Sequence, residues 1–216
     1  MAIALPRAFI HDLPIIGLEF TLEPMAELAP TRSGRTIAKN LGPSFWRAQW
    51  QSHRMLEDEF GEVRAWHATL LSYEAFYGYD KLREYPLLYK HGWGDLEVGG
   101  LAFDGTAALD AVAANTKEID LSALPAGFGL RPGDYLAFDY GTDSRALHMV
   151  VAGGDADGAG ELTVEVRPHV RTGWEAAATV DLHRATAKFL ILPDTWSAPA
   201  EAPHFGRVSF EAIQTL

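Results

Sequence analysis

A mainly β fold with one packed α-helix is what this 216-residue chain predicts, on three observations. Aromatic residues are plentiful, with 6 Trp, 7 Tyr and 11 Phe, and they occur alongside many Val and Thr, the side chains that suit a pleated sheet. Period-two alternation of apolar and polar residues recurs along the chain, broken by Pro, Gly, Asp and Asn. One stretch, beginning at Leu56, instead carries a helical period of three and four.

The elements follow in order. Residues Ile15 to Leu22 (IIGLEFTL) alternate as a strand. Pro24 and Pro30 bracket a segment read as irregular, and Thr31 to Thr36 (TRSGRT) reads as a hairpin turn with Thr36 to Asn40 returning as a strand. Gly42-Pro43 breaks the chain before FWRAQW. There Trp46, Ala48 and Trp50 share one parity, while Arg47, Gln49, Gln51 and His53 share the other, so both indoles fall on one face. The helix is predicted from Leu56 to about Phe76, with Gly78 ending it. Its apolar stripe is Leu56, Phe60, Val63, His67 and Leu70, widened by Trp66 and Leu71; Glu57, Asp58, Glu59 and Glu62 crowd the first turns, where the dipole favours negative charge.

Residues 79–129 lack a clean period. Leu96 to Phe103 reads as a short strand, Thr106 to Thr116 as a short helix or a loop, and Ile119 to Leu124 as another strand. Regular alternation resumes after the Pro132-Gly133-Asp134 turn, giving strands at Tyr135 to Tyr140, Ala146 to Gly153 and Glu161 to Pro168. These form an antiparallel meander of the kind small barrels and sandwiches use. Ala178 to Leu182 and Ala187 to Leu192 add two strands, Pro193 to Pro203 reads as a surface loop, and Arg207 to Ile213 is a final strand.

Composition limits function. The length suffices for one large or two small domains, and 48% hydrophobic residues can fill a sizeable core. A net charge of −11 repels nucleic-acid phosphates, and no basic stripe offsets it: Arg32 and Arg35 flank Ser33-Gly34 in a turn, and Arg145, Arg167, Arg171 and Arg184 are dispersed. With no cysteine, disulfides, thiolate metal sites and cysteine nucleophiles are excluded. Pro6, Arg7, His11, Asp12 and Pro14 interrupt the opening apolar residues, so no signal peptide is expected. No apolar run reaches the roughly 20 residues of a membrane helix, and the expected product is soluble, made in the cytoplasm and not membrane-inserted.

The motifs point away from catalysis. DADGAG, from Asp155 to Gly160, resembles part of a calcium loop, but its twelfth position is Val166 where a bidentate Glu is needed, and a hairpin turn explains it. The eight His, at 11, 53, 67, 91, 148, 169, 183 and 204, include no i, i+4 pair and no HxH. His67 reads as a core residue on the helix face, and His148 as core or interface. There is no GxSxG, Walker loop or GxGxxG after a strand, and Gly92, Gly94, Gly99 and Gly100 read as loop punctuation. Asp139, Asp143 and Glu165 are the carboxylates to inspect for a glycosidase-like pair about 5–10 Å apart. Trp93 and Trp174, in turns, are the candidates for an exposed contact to sugar or to protein, whereas Trp46, Trp50 and Trp66 read as core.

The two-Trp strand FWRAQW, the helix LEDEFGEVRAWHATLLSYEAFYG and the FYGYD segment together resemble the N-terminal part of tailed-bacteriophage distal tail (Dit-like) proteins and related tail-tip hub components. The order of LRPGDYLAF, ALHMVVAGGDADGAGELTVEVRPHVR, ATAKFLIL and the closing RVSFEAI is similar to the second half of such proteins. The likeness spans about two-thirds of the chain and is weak between Lys90 and Gly129. It implies a ring-forming (belt) β-sheet domain with one packed helix from residues 1–80 plus 181–216, and an inserted antiparallel β barrel or sandwich from residues 81–180. It further implies a homo-oligomeric ring, commonly a hexamer, at the distal end of the tail tube in the virion. The expected partners are further copies of the chain, the tube protein, and baseplate hub or tail-fibre proteins. The family role is structural, with no catalytic, cofactor-binding or metal site and no sequence-specific nucleic-acid binding. The alternative reading is a carbohydrate-binding β-sandwich module or glycan-acting enzyme, for which aromatic content and β pattern speak.

Overall fold

The computed structural model describes residues 3–9, 13–70, 73–141 and 144–215. In chain order, its main elements begin with β1 (Arg7–Ala8), β2 (Ile15–Glu23), β3 (Ala26–Pro30), β4 (Thr36–Asn40) and β5 (Phe45–Ser52). Helix α1 (Glu57–Ala68) and β6 (Phe76–Gly78) follow, then β7 (Thr106–Val112), β8 (Glu118–Ser122), β9 (Tyr135–Tyr140) and β10 (Ser144–Ala152). The last four are β11 (Leu162–Arg167), β12 (Ala178–Asp181), β13 (Ala187–Ile191) and β14 (Ser209–Thr215). The protein is mainly β, with one α-helix among the described residues.

Two hydrogen-bonding systems, an open sheet and a closed barrel, organise the strands. Six form a sheet in the order β1-β6-β13-β14-β5-β2, antiparallel except for the parallel β1–β6 pair. Six others close into an antiparallel barrel in the order β7-β8-β11-β10-β9-β12, so the alternative of a sandwich does not apply. Closure leaves the barrel without an open edge.

Parity decides the core of the sheet. Trp46, Ala48 and Trp50 are all buried on one face of β5, as their alternation predicts. The Trp50 ring centroid lies 5.3 Å from that of Phe210 and 5.6 Å from that of Phe189, with Phe76 at 5.9 Å. Indoles bury roughly 200 Å² each, so each of these two Trp contributes about 5 kcal/mol of apolar burial. Helix α1 lies on this same face through Phe60, Val63 and Trp66, and the Trp66 indole N–H donates to the Ala8 carbonyl at 3.0 Å. Farther along the face the barrel is seated. Trp46 donates its Nε1–H to the Leu147 carbonyl at 2.8 Å, and Phe20 meets Tyr135 edge-on at 5.7 Å. A second core fills the barrel, with Leu109, Ile119, Leu136, Val150, Val166 and Val180 at its centre.

The structure corrects several expectations. Helix α1 stops at Ala68 rather than near Phe76. The Thr69 hydroxyl and N–H both bond the Trp66 carbonyl, and Leu70 N–H bonds His67, so the last turn tightens to i→i+3 bonding and ends. Phe76 then enters the sheet as a strand because its ring belongs among Trp50, Phe189 and Phe210. Gly78 is a strand residue, not a helix end: a Cβ there would meet the Phe189 ring at 2.9 Å and the Trp50 ring at 3.1 Å. Leu56 lies outside the helix stripe and is 59% exposed; its N–H is instead capped by the Glu59 carboxylate at 3.1 Å. Leu71 lies outside the described residues. Ala26–Pro30, read as irregular, is strand β3. Residues Thr106–Val112, read as a helix or loop, form β7, hydrogen-bonded to β8 on one side and β12 on the other. Alanines there favour a helix intrinsically, but burying Ala107 and Leu109 on one parity inside the barrel outweighs that preference.

Candidate functional site

The candidate features of this molecule are an open sheet edge, an exposed hairpin and an acidic sheet face. Strand β2 stands at the edge of the six-stranded sheet, so one row of its backbone N–H and C=O groups faces away from β5. Ile16, near the start of that edge, is 60% exposed. An open nine-residue edge is a template for another strand.

Beyond Glu23 the chain leaves the sheet in a separate hairpin, β3–β4, in register from Ala26↔Asn40 to Pro30↔Thr36. All ten residues of its two strands are exposed. Its base is closed by Leu41 N–H donating to the Met25 carbonyl at 2.7 Å, and its tip by Gly34 N–H donating to Thr31. Gly34, with φ +83, supplies the left-handed residue of the turn. Leu28, opposite Ala38, is 66% exposed on one face of the hairpin, and Ile37, opposite Ala29, is 55% exposed on the other, with Met25 and Leu41 exposed at its base. A lone two-stranded hairpin is marginal in water, and one with aliphatic side chains open on it gains stability when something covers it. The arm is also cationic. Residues 25–41 hold Arg32, Arg35 and Lys39 against Glu27, a net +2, so the rest of the −11 chain carries −13.

The face of the sheet opposite the Trp residues is polar. Cross-strand register aligns Glu19, Gln49 and Glu211 in one row and Thr21, Arg47 and Ile213 in the next. Arg47 bridges Glu23 at 3.3 Å and Glu211 at 2.6 Å, and these bonds, Glu211 first, hold its guanidinium pKa above the ordinary value. Glu19, Glu23 and Glu211 outnumber Arg47 around a shallow cleft of about 220 Å³, so this face is acidic.

The carboxylates nominated from sequence do not converge. Asp139 pairs across β9–β10 with Arg145, and Glu165 pairs across β10–β11 with Ala152. Those partners are seven positions apart along β10, which is roughly 23 Å, too far for a two-carboxylate mechanism. Arg145 also binds Asp139 at 3.0 Å and reaches Asp181, and Arg167 binds Glu165 at 2.6 Å. Asp143 lies outside the described residues. The DADGAG stretch is a turn in which Asp157 accepts from the N–H groups of Ala159 and Glu161, while Asp155 pairs with Arg131 at 2.6 Å.

Three histidines, His67, His148 and His183, and the tryptophans are engaged in packing, whereas His53, His91, His169 and His204 are exposed. His67 stacks on Trp196 with centroids 3.6 Å apart, and burial lowers its pKa. His148 lies inside the barrel wall against the Phe138 ring at 5.3 Å, and its Nδ1–H donates to the Pro168 carbonyl at 2.8 Å. Its Nε2 is buried with no hydrogen-bond partner, and burial pushes its pKa down to about 4. His183 stacks on Tyr85 at 4.3 Å, and His204 reaches Glu57 at 2.9 Å across exposed surface. His11 lies outside the described residues. Trp93 is half-buried in an aromatic cluster with Phe103, Tyr85, Tyr89 and Phe128, centroids 5.0 to 5.9 Å apart, and Trp174 packs on the barrel core. Neither stands clear of its domain as a free aromatic platform. Among the described residues no group of three or more His, Cys, Asp or Glu is placed to hold a metal, and no helix is long and apolar enough to cross a membrane.

No protein-family model matches this chain, and no curated protein sequence matches it significantly. The sequence reading found the hairpin through its turn but missed its significance. Nothing in the sequence of residues 26–40 shows that both strands lie exposed, which only the folded chain reveals.

Proposed function

We propose that this chain is a virion structural protein that assembles with copies of itself into a ring at the distal end of a phage tail tube. There it joins the tube to baseplate, tail-tip or fibre proteins. The observation that carries the reading is the exposed, cationic β3–β4 arm next to the open β2 edge, on a chain whose remainder is strongly acidic. A surface that pairs edges and buries aliphatic side chains against another copy relieves both defects at once. The belt of this reading is residues 1–80 with 181–216, which hold the six-stranded sheet, and the outward domain is residues 81–180, which hold the barrel strands β7 to β11 and most of β12. The acidic sheet face around Glu19, Glu23 and Glu211 suits the lumen of such a ring, since it would repel DNA phosphates passing through.

Replacing residues 26–40 by Asn-Gly tests the reading, because the Leu41 N–H to Met25 carbonyl bond then closes a two-residue turn. Negative-stain electron microscopy and mass photometry should show rings of about six chains for the intact protein, as the family resemblance implies, and monomers for the shortened one. A monomer in both cases, at micromolar concentration, would refute the assignment.

A further inference from the structure

We propose that the barrel of each copy docks head-to-tail on the barrel of the next, a basic segment of one meeting an acidic stripe of its neighbour. The inference rests on the ring reading and names the surfaces that set its spacing. The stripe comes from the outward parity of three adjacent strands. Asp110 of β7, Glu118 and Asp120 of β8 and Glu165 of β11 point away from the buried Leu109, Ile119, Leu121 and Val164. Glu118 and Glu165 are directly opposed across the β8–β11 pair, a like-charge contact that costs stability unless something answers it. Arg167 is the one cation on these three strands, and it is bound to Glu165.

The basic segment is residues 81–90, which line a cleft of about 300 Å³. Lys81, Arg83 and Lys90 stand there against Glu84, and Glu84 is itself paired with Arg184 at 3.0 Å. Leu82 and Leu88 are exposed beside them, which gives the patch an apolar component. The segment is rigidly held. Leu87 N–H donates to the buried Asp134 carboxylate at 2.7 Å, Arg83 donates to the Gly133 carbonyl, and the Tyr89 hydroxyl accepts from Gly129 N–H at 2.9 Å.

Topology places the two surfaces apart. Asp134 leads directly into β9, and β9 is three strands from β8 in either direction around the six-stranded barrel. Opposite charge on opposite sides of one domain cannot pair within a copy. It pairs between copies in a heterologous contact, which repeats until the rotation closes.

The test uses the full chain. Glu118→Lys and Lys90→Glu each reverse one exposed charge, and near-UV circular dichroism should stay at the wild-type values. Each single variant should weaken self-association about fivefold by sedimentation velocity, the size expected of an exposed charge contact. The double variant, which restores opposite signs, should return to within about twofold of wild type. Single variants that associate like wild type, or a double variant weaker than either single, would overturn the proposal. If removing the β3–β4 arm abolishes association while the charge reversals change nothing, the barrel contact is wrong and the ring reading stands; a monomeric wild type removes both.

Discussion

His148→Leu should flatten the acid sensitivity of this protein. The imidazole is enclosed between the Phe138 ring and the Pro168 carbonyl, with Arg171 adding a positive charge nearby, and burial is the main cause that lowers its pKa to about 4. In the unfolded chain the same group titrates near the ordinary histidine value of 6.5. Between these values the unfolded state binds more protons than the folded one, so stability is fully present above pH 6.5 and falls as the pH drops toward 4. The linkage integral gives a loss of about 2 kcal/mol at pH 5 and about 3 kcal/mol at pH 4. At a urea dependence of roughly 2 kcal/mol/M, the midpoint at pH 5 falls by about 1 M. The measurement is a series of urea titrations from pH 7.5 to 4, followed by Trp fluorescence. His148→Leu leaves the Pro168 carbonyl without its donor, which costs about 1–3 kcal/mol at every pH, so the diagnostic is slope rather than midpoint. If the variant loses as much stability between pH 6.5 and 4 as the wild type does, another group carries the acid sensitivity and the account of His148 is wrong.

Other outcomes follow from the same geometry. Leu28→Asp with Ile37→Asp should leave the near-UV circular dichroism unchanged but weaken self-association by tenfold or more in mass photometry, because each side chain is more than half exposed in the monomer and burying it is worth ~1 kcal/mol or more. Gly153→Ala should destabilise the barrel by about 1–3 kcal/mol or more in thermal denaturation, since the new Cβ would lie 2.1 Å from the Leu130 carbonyl oxygen, a backbone atom that cannot rotate away. Trp46→Phe removes the indole N–H that the Leu147 carbonyl accepts and should cost about 2–3 kcal/mol, measured by urea unfolding. Tyr135, half-buried near Asp80, has its phenol pushed up to about 12, mainly by burial. Its ionisation absorbance should therefore appear about two pH units above that of an ordinary tyrosine.

The alternation in FWRAQW was enough to put Trp46 and Trp50 in a core, because side-chain parity is a local property of an extended chain. The start of α1 was readable for the same kind of reason: Glu57, Asp58 and Glu59 sit where the helix dipole and the Leu56 N–H need acceptors. The same local logic placed the strands at Tyr135, Ser144 and Leu162 to within two residues. It failed where a distant surface decided. Phe76 is a strand residue because Trp50, Phe189 and Phe210 receive its ring, and Ala107 and Leu109 are strand residues because the barrel closes on them. The insertion of β14 between β13 and β5 could not be read from its residues, since a strand's own pattern does not name its neighbours. Nor did the turn at Ser33-Gly34 reveal that the hairpin it closes lies bare. Alternation tells which side chains want cover, and only the packed chain tells which of them fail to find it.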